Sequence, residues 1–516
     1  MTGLFYLFCG ALLVAIASST SCDLPPIFVT FGACNVSTPG RDGTAYSYGV
    51  LLAVNQAQIC ATPSTFVTSP LLEHEDVCSE QNRIGMTAAQ CRSRRGNYVT
   101  KEDAEIVSAE GLAQQSTNMK FLPPIDKSTR APIQLQLGTT VSVHSGFITS
   151  GDQHANSHFP LNEDSVVLAE MKRSNQIASS EFGLDVGSQS VFSPRNGRLV
   201  MGGLQPAMIK GPRWEFKIDR SKPDINSRAC ALKVDIRHVH IGIGGRDVEL
   251  IAPDSDTRVC IEIYDRLMRL PSTVLRALKD ELRNEGAKEA VAQEGKPEGR
   301  FGGILDTEPG LLYETAGARA NLSDLVQSMQ ITIRGGLVGG KEADLTVDLG
   351  NEDVVQPLVG LNENGVPTVN ASLEKLMVYH QRGIGDAAVL GRAFLEKLYL
   401  HVDYDNNVFY LGHIDVGGQS QLAVSSRSCN GGTKSVNSLA WLIVLTVLLA
   451  LVVSALLALA WYLFRKQRAQ LKMLQAEVQS TRERLLPLLE RPSSDLDGDG
   501  RGGTMPVMGP SRAAGR

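Results

Sequence analysis

The sequence has no strong excess of charge of either sign. Lys and Arg number 50 and Asp and Glu 55, so the net charge is −5 over 516 residues. Proteins that hold nucleic acid usually carry a basic surface, and a near-neutral balance does not favour that class. The composition therefore predicts no nucleic-acid partner.

The sequence also lacks the local patterns from which metal and nucleophilic sites are usually built. No C-x-x-C pair or histidine cluster predicts a metal site. Ser193 and the histidines at 74, 144, 154 and 158 stand in no recognised triad frame. We therefore expect neither a metal nor another cofactor.

What the sequence does have is an apolar run at each end. Residues 4–18 have the length of a signal-peptide core, and small residues follow, so 1–21 are predicted to be a signal peptide. Residues 439–464 carry no charge and are long enough to cross about 30 Å of hydrocarbon. Arg465 and Lys466 come next, and positive charge stays inside. These features predict a single-pass type I protein of the plasma membrane or another secretory membrane.

Between the two runs lies a large region with the pattern of a mostly β protein. Runs of alternating or β-branched residues are separated by Gly, Asn, Pro and Asp. Residues 398–411 predict a hairpin, and Ser272–Glu285 has the apolar spacing of a helix. The region between the two apolar runs is longer than one ordinary hydrophobic core, which predicts two lobes. The predicted division is an N-terminal lobe at 22–205, a connection at 206–225, a C-terminal lobe at 226–415 and a stalk at 416–438.

The C-terminal tail, 465–516, is predicted to be cytoplasmic and mostly disordered. Small residues at 450, 454 and 458 would permit close approach of two spans, and near-heptad apolar residues follow at 471, 474, 478 and 485. Together they predict a weak homodimer. A solvated juxtamembrane helix explains the same residues more simply.

Cysteines and sequons fit an extracytoplasmic domain. Removal of Cys9 with the signal peptide leaves an even number of cysteines, which suits disulfides. Cys230 and Cys260 flank a predicted strand pair and are candidates to bridge it. Asn-Xaa-Ser sequons predict glycosylation. They lie at Asn35, Asn321 and Asn370.

Two segments carry a resemblance to a known family. Residues 388–412 read AVLGRAFLEKLYLHVDYDNNVFYLG, and residues 182–204 read FGLDVGSQSVFSPRNGRLVMGGL. In this order they resemble the pepsin-like aspartic proteases, peptidase A1. Cys78 and Cys91, followed by an Arg-Gly-Asn-Tyr turn, resemble the disulfide loop of a fungal membrane-anchored branch. The resemblance implies a bilobed fold of two β-barrel-like lobes and a Cys78–Cys91 bridge.

Catalysis in that family needs one Asp from each lobe, in an Asp-Thr/Ser-Gly loop, with the two carboxylates sharing a proton. In the first lobe the loop falls on Ser64, Thr65 and Phe66, so Ser64 stands at the Asp position and Phe66 at the Gly position. A serine cannot hold the shared proton as a carboxylate does.

In the second lobe the loop falls on Glu262, Ile263 and Tyr264, followed by Asp265. The longer Glu262 side chain would displace the carboxylate, and Tyr264 would crowd the loop. Asp306 in Ile-Leu-Asp-Thr-Glu is an alternative second-lobe position, but Glu308 and Pro309 replace the residues that the tight loop needs.

The resemblance therefore implies a membrane-anchored pseudo-protease whose cleft, at Thr65, Phe66, Tyr264 and Asp265, binds a peptide or protein ligand. One alternative is a residual acid endopeptidase that uses Glu262 or Asp306. Another is a structural or trafficking role in which the tail acts and the outer domain is inert.

Overall fold

The structure is a computed structural model, and its described residues form most of the chain between the two ends. They are 24–37, 44–54, 57–73, 75–79, 85–98, 125–135, 140–148, 157–220, 230–251, 257–290, 300–301, 303–306, 310–315, 319–380, 388–420 and 433–489. For 76, 125–135, 140–148, 380, 419–420, 433–448, 450–451 and 482–489 the description covers the backbone alone. The predicted signal peptide lies outside these residues, as do most of the stalk and the end of the tail.

Strand is the most abundant regular structure in the described chain, which confirms the predicted mainly β class. The strands before residue 220 are β1 (Ile27–Ser37), β2 (Thr44–Val54), β3 (Ala57–Ser64), β4 (Leu71–Glu73), β5 (Ile125–Leu135), β6 (Thr140–Ile148), β7 (His158–Pro160), β8 (Glu181–Asp185), β9 (Gly197–Met201) and β10 (Ile209–Lys217).

The later strands are shorter on average. They are β11 (Lys233–Ile243), β12 (Arg246–Ile251), β13 (Thr257–Ile261), β14 (Met268–Leu270), β15 (Arg300–Phe301), β16 (Ile304–Leu305), β17 (Leu311–Glu314), β18 (Val326–Arg334), β19 (Gly336–Leu337), β20 (Lys341–Glu342), β21 (Leu345–Gly350), β22 (Val355–Leu361), β23 (Pro367–Leu376), β24 (Val378–His380), β25 (Ala388–Leu390), β26 (Leu398–Asp403) and β27 (Val408–Ile414).

Helices connect or flank the strands. They are α1 (Ala88–Arg95), α2 (Val166–Arg173), α3 (Ser272–Asn284), α4 (Leu322–Leu325), α5 (Asn351–Val354), α6 (Arg392–Leu395) and α7 (Thr433–Leu489), with 3₁₀ turns at Glu75–Cys78, Pro206–Met208 and Val416–Ser420.

The largest sheet runs in the order β20–β19–β10–β27–β26–β8–β9–β1–β2–β3–β7–β4–β6–β5. Its last strand, β5, pairs back with β2, so β2, β3, β7, β4, β6 and β5 form a closed ring. Closure leaves no free edge among these strands. The rest of the sheet joins β1, β8 and β9 to β10, β26 and β27 from later in the chain.

The second sheet belongs to the later part of the chain alone. It runs β21–β18–β11–β13–β25–β14–β24, with β12 paired to β11. A smaller third sheet runs β15–β16–β22–β23–β17. One buried apolar cluster includes side chains of both larger sheets, among them Phe31, Phe159, Ile261 and Phe409.

Two local predictions are confirmed. The helix expected at Ser272–Glu285 is α3, which buries Val274, Leu278 and Leu282 on one face. The hairpin expected at 398–411 is β26–β27, and Asn407 takes the left-handed conformation in its turn with φ of 60°.

Three disulfides join the described cysteines. Cys78–Cys91 and Cys230–Cys260 are present as predicted, with Cα–Cα distances of 5.7 and 5.8 Å. The third bridge, Cys34–Cys60, joins residues of β1 and β3 across β2. The sequence left that pairing open, because the strand order that brings the two cysteines together cannot be obtained from spacing.

The chain divides into two compact units, Met1–Cys429 and Asn430–Arg516. Both predicted lobes fall in the first unit. The second contains α7, on which Leu471, Leu474 and Val478 are exposed. Over the part of the chain that the structure describes, no helix has both the length and the apolarity needed to cross a membrane. The span predicted at 439–464 falls partly on 439–448, whose side chains lie outside the description.

Candidate functional site

The candidate site is built from two strand-and-loop motifs with the same pairing pattern. In the first, β3 runs parallel to β7, β4 runs parallel to β6, and β4 is antiparallel to β7. In the second, β13 runs parallel to β25, β14 runs parallel to β24, and β14 is antiparallel to β25. Ser64 ends β3 and Glu262 follows β13, so the two residues occupy corresponding places.

The first loop holds Ser64 and Thr65, which are 1% and 4% exposed. The Ser64 hydroxyl accepts a hydrogen bond from the Phe66 amide at 3.2 Å, and its carbonyl accepts one from the Leu161 amide at 2.8 Å. The side chain of Ser64 therefore stabilises its own turn, and its backbone carbonyl binds the chain after β7.

Glu262 in the second loop is 1% exposed. Its Oε2 accepts a hydrogen bond from the Thr65 hydroxyl at 2.7 Å, and its Oε1 accepts one from the Tyr264 amide at 3.0 Å. The two loops thus meet directly, although 197 residues separate the bonded side chains. The Thr65–Glu262 hydrogen bond marks the place that we call the junction.

The aromatic residue of each loop packs against the other strand-and-loop motif. Phe66 packs against the Cys230–Cys260 bridge and Val389 of the second motif. Tyr264 stacks on His158 of β7 in the first motif, with ring centroids 4.3 Å apart. Each loop is therefore anchored by an aromatic contact as well as by the hydrogen bond at the junction.

Asp265 faces its own loop. It forms an ion pair with Arg269, its Oδ1 accepts from the Leu267 amide at 3.1 Å, and its carbonyl accepts from the Arg392 amide. Gly391 lies against this loop, and a Cβ there would collide with the carbonyl oxygens of Asp265 and Leu267. Asp265 thus holds the second loop against β25 and α6.

Asp306 lies in another part of the fold. It follows β16 in the third sheet, and it forms a buried ion pair with Lys375 of β23. Both side chains are 5% exposed or less. The structure therefore brings together Thr65 and Glu262, and it places Asp306 in a separate structural pair.

The first unit also contains a cavity of about 430 Å³. Its walls come from β1, β2, α1, β22, the β8–β9 loop and the loop after β13, and Thr62 of β3 lines it two residues before Ser64. None of its described lining residues is Asp or Glu. Its charged lining residues are Arg94, Arg195, Arg266 and Arg392.

The arginines are held by contacts within the walls. Arg195 Nη2 donates to Asp185 Oδ1 at 2.9 Å, and Arg266 donates to Gln356 Oε1 at 3.1 Å. Arg392 lies over the ring of Tyr48, 5.6 Å from its centroid. The cavity has the volume of a typical ligand site and a positive lining, which suits an anionic group. The sequence alone does not predict this cavity, because its arginines come from four distant segments.

Burial raises the pKa of two acidic groups near the cavity. For the Tyr48 hydroxyl, burial raises the pKa well above its ordinary value, against the opposing charge of Arg392. Burial also raises the pKa of the Glu396 carboxyl, although hydrogen bonds from the Gln189 amide and Ser188 and the charge of Arg266 lower it. The Gln189 bond is 3.2 Å long.

The predicted sequons lie on different elements. Asn35 is exposed on β1 and lines the cavity, and Asn321 precedes α4 and is half-buried. Asn370 on β23 is also half-buried, and its Oδ1 accepts hydrogen bonds from Ser372.

Comparisons with known proteins add no family to this description. No protein-family model matches the chain, and no curated protein matches it.

Replacing Lys375 should destabilise the fold strongly. Lys375→Met leaves the buried Asp306 carboxylate without this cation, so we expect the free energy of unfolding to fall by about 3–5 kcal/mol. The double variant Asp306→Leu/Lys375→Met should lose much less. Urea denaturation measures both, with Lys288→Met, at an exposed pair with Glu314, as the control. Equal losses in the single and double variants would show that Asp306 has another role.

Glu396→Gln should remove a pH-dependent loss of stability. A raised carboxyl pKa favours the folded state below the ordinary pKa of about 4.3, and this contribution is lost as the pH rises through the folded pKa. The variant should therefore match the native protein near pH 4 and exceed its unfolding free energy near pH 7. Denaturation at several pH values measures this, with exposed Glu363→Gln as the control. A constant difference between native and variant would contradict the assignment.

Proposed function

We propose that the first unit is a catalytically inactive relative of the pepsin-like aspartic proteases, and that it binds a peptide or protein ligand. Support comes from the repeated pairing pattern around Ser64 and Glu262, which fits a fold of two related lobes. The closed ring of β2 to β7 and the second sheet would be their respective cores. The strands β1, β8, β9, β10, β26 and β27 would join the lobes.

The single observation that carries the proposal is the hydrogen bond from Thr65 to Glu262. At the junction a serine and one carboxylate occupy the corresponding places of the two loops. Acid proteolysis by this family's chemistry needs two carboxylates that share a proton over a water. The Glu262 carboxylate instead accepts bonds from the two loops themselves, which is a structural use.

The cavity supports ligand binding. Guanidinium groups pair well with carboxylates, because their N–H donors match both oxygens. Arg195 is already paired with Asp185, but the other three lining arginines, with no acidic residue among the described lining side chains, would attract Asp, Glu or a C-terminal carboxylate. We therefore propose that the ligand presents an acidic group to Arg94, Arg266 and Arg392.

Binding is tested on the full chain in detergent with fluorescent peptides that carry Asp and Glu or, as matched controls, Asn and Gln. The acidic peptides should bind, and Arg94→Gln should weaken their binding about tenfold, since one charge-assisted hydrogen bond contributes about 1.5 kcal/mol or more. Arg276→Gln, an exposed arginine of α3 that does not line the cavity, is the control. Equal binding of both peptide sets would contradict the proposal.

The same preparation tests the alternative, an acid endopeptidase that uses Glu262 or Asp306. Incubation with a broad peptide library at pH 3–5 should give no cleavage. Cleavage that is abolished by Glu262→Gln or Asp306→Asn would instead establish the endopeptidase. Cleavage that survives both variants would point to a contaminating protease. The cleavage rate of an independently purified sample would then be compared with that of the first.

We also propose that residues 439–464 anchor the protein as a single-pass type I membrane protein, with the first unit outside and 465–516 in the cytosol. Support comes from the uncharged run and from the cluster that starts at Arg465 and Lys466. It also comes from the continuity of α7 across this segment.

The anchor is tested by extraction and protease protection of membranes from expressing cells. The chain should stay in the membrane at alkaline pH, and a C-terminal tag should be digested in sealed vesicles while the first unit is protected. A variant that lacks 439–464 should be released. Release of the native chain at alkaline pH would overturn the proposal.

A further inference from the structure

The outward face of the β11–β12 hairpin carries a compact group of potential metal ligands. Successive side chains alternate along a strand, so His238 and His240 lie on the same face while Val239 between them is fully buried. Glu249 of β12 is paired directly with His240 in the strand register. One strand thus supplies two imidazoles and its neighbour supplies a carboxylate.

The distances are close to those of a metal site. His238 Nδ1 lies 3.0 Å from Glu249 Oε1, and His240 Nε2 lies 3.9 Å from the same oxygen. One ligand atom from each of the three residues falls within 4.8 Å of the others. Ligand atoms of tetrahedral zinc are about 3.4 Å apart, given Zn–N bonds of about 2.1 Å. Small side-chain rotations would therefore bring the three atoms into register around one ion.

The surroundings leave room for a further ligand. His238 and His240 side chains are 32% and 28% exposed, so the site is open to solvent. Asp247, also on β12, lies 3.2 Å from His240 Nδ1. On the other side β11 is flanked by β18, where the side chain paired with His240 is Gln330. Asp247 can thus orient the His240 ring through Nδ1 while Nε2 faces the ion, and a water can complete four-fold coordination.

We propose that His238, His240 and Glu249 bind one divalent transition-metal ion, with Zn²⁺ as the expected metal. Imidazole nitrogen and one carboxylate form a donor set that favours Zn²⁺ or Cu²⁺, whereas Mg²⁺ and Ca²⁺ prefer oxygen ligands alone. Three protein ligands with an open fourth position are the arrangement of zinc sites that accept an exogenous ligand. The sequence alone predicts no metal, because Glu249 joins the histidines only through strand pairing.

The test is a Zn²⁺ titration of the full chain after treatment with a chelator, followed by calorimetry, and a parallel titration with Co²⁺ followed by visible absorption. One equivalent should bind, with the absorption of tetrahedral Co²⁺. His240→Asn and Glu249→Gln should each weaken binding by at least about tenfold. His413→Asn, a histidine on β27, is the matched control.

Circular dichroism and the melting temperature of each variant show that it is folded, which is expected because the replaced side chains face solvent. No binding to the native chain at 100 μM Zn²⁺ would overturn the proposal. Unchanged binding in the double variant His238→Asn/His240→Asn would also overturn it, since the metal would then be held elsewhere. Binding of Mg²⁺ with equal affinity would contradict the proposed donor set.

Discussion

The arrangement of the first unit depends on how the buried carboxylate of Glu262 is satisfied. A carboxylate taken out of water costs several kcal/mol unless hydrogen bonds replace the lost hydration. Thr65 and the Tyr264 amide supply two such bonds, and Thr65 follows a strand of a different sheet. Satisfying Glu262 therefore requires β3 and β13 to end at the same point. The parallel partners β7 and β25 fix both ends there.

The aromatic exchange reinforces the same constraint. Phe66 and Tyr264 each pack on the strand-and-loop motif to which they do not belong. A shift of either loop would therefore lose both an apolar contact and the hydrogen bond at the junction. Arg392 connects this region to the cavity, because its amide donates to the Asp265 carbonyl while its guanidinium lies over Tyr48. A ligand that binds the guanidinium would therefore act on a residue that also supports the second loop.

The sequence predicts those parts of the fold whose signals are local. The apolar spacing of Ser272–Glu285 predicts α3, and the turn residues after Asp403 predict the β26–β27 hairpin. The Cys78–Cys91 bridge is implied by the resemblance of its loop to a known disulfide loop. The cavity, the ion pair of Asp306 with Lys375 and the His–Glu cluster all join residues that are distant in sequence or on different strands. Single-sequence patterns carry no register between strands, so these sites required the structure.

The proposed loss of catalysis depends on packing as much as on the missing carboxylate. Restoring Asp at Ser64 would add the group that the first loop lacks. Phe66 would still stand where a glycine lets the two loops approach, and its ring would still rest on the Cys230–Cys260 bridge. Tyr264 would still hold the second loop against His158. A working pair of carboxylates with water between them would require both rings to be removed and their packing to be rebuilt. These mutually supporting contacts at the junction are the physical reason for proposing a binding domain rather than an acid protease.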